Sequence, residues 1–221
     1  MSEPESRLLP APGKTAFDYA FAAAKAGSLA FPFFGAGVTL VDLVTAPLRG
    51  KRLNDWCEDL RLRFNELSDK VGGLTPEALA KNEAFVSVIA HATQAALRTH
   101  QAEKVEALRN AVLNVAVTNA LSEDLQLIFV NLLDSFTPTH VRVLKHFHGK
   151  DRTNTATFRL QRDLTDQVVS DLSDRGFLQD TRPYAARNRD SGEALVIYDW
   201  EVTSLGKQFL EFIKSPDAEK R

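Results

Sequence analysis

Apolar residues recur along the middle of this chain at three- and four-residue steps, a spacing that gathers them into one stripe on a 3.6-residue helix. Leu53, Trp56, Cys57, Leu60, Phe64, Leu67 and Val71 predict a helix of about five turns. Gly72-Gly73 is expected to end it. Thr75-Pro76-Glu77 then supplies an N-cap, a proline for the first helical position and an early acid. The helix so opened carries Leu79, Phe85, Val88, Ile89, Ala92 and Ala96 inward and is expected to run to His100. A third stripe of Val105, Leu108, Val112 and Val115 fades near Asn119. The cleanest stripe is Leu125, Ile128, Phe129, Leu132, Leu133 and Phe136.

Beyond this point the pattern changes. Thr137-Pro138 opens a short helix with Val141, Val143, Leu144 and Phe147 inside. Leu164, Val168, Val169 and Leu172 set the core side of a second, which closes at Asp174-Arg175-Gly176. A polar tip at 182–192, a β-rich run at 194–198 and a helix at 203–214 complete the order of a winged helix-turn-helix. The expected fold is therefore mainly α: a helical bundle over 15–136 joined to a small α+β winged helix over 137–215. Disordered tails are expected at 1–14, which holds Pro4, Pro10 and Pro12, and at 216–221.

Net charge is −2, so no global field draws the chain to nucleic acid or anionic lipid, and any such attraction is local. On the second helix of the turn motif, helical geometry sends Asp166, Gln167, Ser170 and Asp174 outward. Two carboxylates on the face that would meet phosphates oppose DNA reading, because duplex affinity rests on neutralising phosphate charge. The wing is more favourable. Arg182, Arg187 and Arg189 lie beside Tyr184 and Asn188, a set able to straddle a phosphate backbone, or equally to pair with Asp180, Asp190 and Glu193.

Sixteen uncharged residues separate Lys25 from Asp42. Pro32 and the Gly35/Gly37 pair interrupt this run, which favours two short helices forming a buried hairpin. The alternative is a membrane-associating segment over 26–48 in which Phe31, Phe33 and Phe34 insert and Arg49, Lys51 and Arg52 hold the headgroups. One cysteine excludes an intramolecular disulfide, fits a reducing cytoplasm and, beside Trp56, is expected to be buried and inert.

Familiar catalytic chemistry is missing from the residues. His146 and His148 fall on different helical faces and His140 adds no partner four residues away, so no metal is expected. His91 and His100 read as polar-face or satisfied core histidines. No Ser-His-Asp, paired-carboxylate or phosphate-loop signature is present, so no enzyme activity, cofactor or small-molecule substrate is implied. Asn110 and Asn114, four apart near Arg98, His100, Lys104 and Arg109, suit hydrogen bonds to a neighbouring helix, with a polar ligand pocket as the alternative.

Asn82-Glu83-Ala84-Phe85, Glu103-Lys104 with Leu108-Arg109-Asn110-Ala111 and Asn114, Phe129-Val130-Asn131-Leu132-Leu133 and Thr137-Pro138-Thr139-His140-Val141 together resemble the abortive-infection alpha (Abi-alpha) proteins of bacteria. The resemblance covers a quarter to a half of the chain and contains no catalytic motif; the winged helix departs from it. It implies a role in phage defence or growth control. The leading expectation is thus a non-enzymatic cytoplasmic protein that binds a protein partner or itself. The alternatives are a DNA-contacting regulator and a peripheral membrane effector.

Overall fold

The computed structural model describes residues 40–72, 74–118, 120–149, 162–181, 184–187, 194–197 and 200–216. Over these residues the protein is mainly helical with short antiparallel strands. The elements are α1 (Leu40–Ser68), α2 (Pro76–Ala80), α3 (Glu83–Arg98), α4 (Ala102–Val117), α5 (Glu123–Ser135), α6 (Pro138–His148) and α7 (Arg162–Asp174). After them come β1 (Leu178–Asp180), β2 (Tyr184–Arg187), β3 (Ala194–Ile197), β4 (Trp200–Val202) and α8 (Ser204–Phe212). The expected tail at 1–14, all of the one at 216–221 except Pro216, and residues 26–39 of the apolar segment lie outside the described residues.

Local chemistry explains most boundaries. The Thr75 side chain accepts from Ala78 N and Pro76 opens α2, as its sequence predicts. The single helix expected from there to His100 is instead two. Asn82 takes an extended backbone, and its Oδ1 accepts from Phe85 N at 3.0 Å, so a fresh N-cap interrupts the run. The first long helix also begins earlier than its stripe, at Leu40, and passes through Pro47 and Gly50. Among the described residues no helix is long and apolar enough to cross a membrane.

Helix α3 packs against both α4 and α5, with α1 laid across α3. Trp56, Leu60, Phe64 and Leu67 of α1 are buried there with Phe85, Val88, Leu108, Val112 and Leu133. Cys57, expected in the interior, is only partly buried at the margin of this core. Ile128 is the exception in the cleanest stripe: it is 51% exposed, because neighbours cover the Phe129, Val130 and Leu133 side of α5 instead.

The hydrophobic interior does not stop at Phe136. Phe129 of α5 meets Phe209 of α8 edge-on at 5.3 Å between ring centroids and Phe212 at 5.5 Å. Phe177 lies 5.1 Å from Phe209 and 5.7 Å from Phe136, both edge-on. Edge-to-face pairs of this kind add to burial because a positive ring edge meets a negative face. One contiguous core therefore links 40–136 with 137–213.

Polar contacts reinforce the same seam. Asn110 Nδ2 donates to Ile213 O at 3.1 Å, and Asn114 Nδ2 to Phe212 O and Lys214 O, each at 2.8 Å. These are carbonyls at the end of α8 that no helical N–H reaches, so α4 caps α8 from outside. The two asparagines serve the neighbouring helix, as their spacing suggests. Arg109 binds both oxygens of Asp59, at 2.8 and 3.1 Å, joining α4 to α1.

Candidate interaction face on α7

Helix α7 is placed by its inner side. Thr165, Val168, Val169 and Leu172 are buried, a spacing of three and four residues that sets the inward stripe. Leu164, expected in that stripe, is 46% exposed, and Thr165 takes the inner position. On a helix advancing 100° per residue, Thr165 falls close to the line through Val168, Val169 and Leu172, while Leu164 falls at its edge. The helix stops at a Schellman turn: Gly176 N donates to Ser173 O and Phe177 N to Leu172 O, both at 2.8 Å. Gly176 has φ +75°, a conformation that favours glycine.

The outer side carries Leu164, Asp166, Gln167, Ser170 and Asp174, all exposed. Among the described residues no cation lies in ion-pair contact with Asp166 or Asp174. This side of α7 is thus an acidic strip with one exposed leucine at its margin.

Between this strip and α6 sits a closed polar ring that the sequence did not suggest. Thr137 N–H donates to His140 Nδ1 at 3.2 Å, so the neutral imidazole carries its proton on Nε2. Nε2 lies 3.0 Å from Asp171 Oδ2, and Arg175 Nε donates to Asp171 Oδ1 at 2.9 Å. The Arg175 guanidinium then lies over the Phe136 ring, 5.4 Å from its centroid, while His140 is stacked on Phe136 at 4.8 Å. The sequence signals were short-range, Thr137 to His140 and Asp171 to Arg175. The link between them, His140 to Asp171, spans two helices and had no sequence signature.

Burial holds the His140 imidazolium below the usual histidine range, against the pull of Asp171. Burial pushes the Asp171 carboxyl up, but the Arg175 and His140 contacts outweigh it and leave it low. Both shifts have one sign: over the intervening pH range the unfolded chain binds more protons than the folded one. The stabilisation is fully present above the ordinary histidine value of 6.5 and declines as pH falls below it. A second decline follows below the ordinary carboxylate value of 3.8. Urea midpoints measured from pH 7.5 to 5 should therefore fall on acidification, and less steeply in His140→Gln. Parallel slopes for the two proteins would remove His140 as the cause.

Most of the residues expected to bind nucleic acid or membrane lie outside the described residues or have undescribed side chains. Arg182 and Arg189 lie outside the described residues, as do Phe31, Phe33 and Phe34. Arg187 ends β2 opposite Ala194 of β3, at the tip of that ribbon, and its side chain is outside the description. Arg49 lies within α1, with its side chain likewise undescribed. Lys51 is exposed, whereas Arg52 donates to Leu97 O at 3.0 Å and so caps α3. His91 and His100 are exposed.

Compared with known proteins, the chain matches no family model, and neither a curated protein nor a solved structure is significantly similar to it.

Proposed function

We propose that this chain is a non-enzymatic interaction protein whose C-terminal third is a winged helix adapted to a protein partner. The order α6, α7, antiparallel β1–β4 and β2–β3 ribbons, then α8 supports the winged-helix reading. In that scheme α7 is the helix that would enter a major groove. The observation that carries the functional reading is the exposure of Asp166 and Asp174 on its outer face. A carboxylate pair meeting phosphates adds repulsion where affinity needs neutralisation. The same strip, with Leu164 beside it, suits a basic protein surface holding an apolar socket. The Abi-alpha resemblance adds a bacterial defence or growth-control setting.

A second reading keeps DNA through the wing, favoured by Arg187 at the tip of the β2–β3 ribbon. Fluorescence anisotropy with a 20-base-pair duplex at low salt separates the two. On the protein-partner reading, wild type shows no retention and Asp166→Lys with Asp174→Lys gains it. On the wing reading, wild type is retained, and Arg187→Glu with Arg189→Glu abolishes retention and lowers the salt slope by about 2. Retention by wild type that survives the arginine reversal would sink both accounts.

A further inference from the structure

Helix α6 turns two different sides to its surroundings. His140, which meets Asp171 of α7, lies on one. Pro138, Val141, Arg142 and Lys145, three and four residues apart, lie on the opposite one and line an open slot against α4 and the end of α5. The slot measures about 180 Å³. That is short of the roughly 300–1,000 Å³ of a small-molecule site. It is ample for one apolar side chain, since an apolar cavity of about 150 Å³ admits a benzene ring.

The lining combines grease with positive charge. Leu133, Phe136, Val141 and Ile213 supply the apolar part, and Lys104, Arg142 and Lys145 the cations. Two acids, Glu103 and Glu106, also line it. Glu103 is tied to Arg142 at 3.3 Å, and Glu106 lies 3.9 Å from Arg109. Lys104 Nζ donates to the main-chain oxygen of Asp134, and Lys145 is exposed, in ion-pair contact with no acid among the described residues. Three cations against two acids leave the slot positive.

The outer side of α7 is its counterpart: exposed Leu164 beside exposed Asp166 and Asp174. An apolar knob flanked by acids matches an apolar slot flanked by cations in both shape and sign. Because α7 packs on the other side of α6, the strip of one chain does not face its own slot. We propose that the partner of the α7 strip is a second copy of this chain, Leu164 entering the slot between α4 and α6 while Asp166 and Asp174 meet its cations. This rests on the reading of α7 as a protein-contact face and names what it contacts. The two surfaces differ, so the contact runs head to tail and closes into a ring or continues as a filament.

Sedimentation velocity on the full chain at low salt tests the pairing. Wild type should form species larger than one chain as its concentration rises. Raising salt to about 0.5 M should weaken them, because charges at an open rim are then screened. Leu164→Glu removes the knob, and Arg142→Glu with Lys145→Glu reverses the slot; all three positions are exposed, so the fold is kept. Each variant should associate at least about tenfold more weakly than wild type, the loss expected from one leucine left unburied or from like charges opposed. Mixed together, the two variants should give a one-to-one dimer, since each keeps the surface that the other lacks. Wild type that stays a single chain up to about 0.5 mM, where even a weak contact is occupied, would overturn the self-pairing and leave the strip to the duplex assay above. Oligomers that persist in either variant, or variants that do not pair when mixed, would overturn it too.

Discussion

Phe129→Ala is expected to destabilise the protein by about 3–5 kcal/mol, the range for truncating a fully buried aromatic ring. The ring is wholly enclosed and touches Phe177, Phe209 and Phe212, so three neighbours on two segments lose packing at once and cannot all collapse into the gap. The variant should also reveal how the chain is divided. The sequence contains two tryptophans, Trp56 in α1 and Trp200 in β4, one on each side of Phe136. With either one replaced by phenylalanine, the other reports its own half. In urea both reporters should give the same midpoint, and both midpoints should fall together in Phe129→Ala. Two separated midpoints would show that the halves unfold independently, in spite of the shared core.

Gly206→Ala carries the second large effect, and its sign is the informative part. In an exposed helix interior this change stabilises by up to about 1 kcal/mol, since alanine gives up less backbone freedom. At Gly206 a Cβ would sit 2.6 Å from the Phe177 carbonyl oxygen and 2.7 Å from Val202 Cγ1. Neither neighbour yields easily: Phe177 O accepts from Thr203 N at 3.0 Å, and the valine is stiff at χ1. Steric strain should win, giving a net loss of about 1–3 kcal/mol. Guanidinium unfolding measures it, with Ser204→Ala on the exposed side of α8 as the control. A Gly206→Ala midpoint equal to or above wild type would show that α8 does not approach Phe177 this closely.

The C-terminal third was the most legible part of the chain in outline. Its alternation of helical stripes with a β-rich run predicted helices over residues that became α6, α7 and α8, and a strand at β3. Helix edges were less so. Asn82 looked like an interior residue of one long helix because periodicity continues across it; only its extended backbone and its bond to Phe85 N mark a break. Ile128 and Leu164 misled in the same way. Each belongs to an apolar series, but a series says which side of a helix is greasy and not how far the neighbouring elements extend over it.

Sequence alone determined the helical character, the outward turn of Asp166 and Asp174, and the capping at Thr75 and Gly176. All of these follow from contacts within a few residues, where backbone geometry leaves few alternatives. Tertiary structure alone decided that His140 meets Asp171, that Asn110 and Asn114 cap α8, and that Arg52 is spent on Leu97 O. Those pairings join groups brought near one another only when separate helices dock. Docking depends on the summed shape of two surfaces, which no spacing along one strand of sequence encodes.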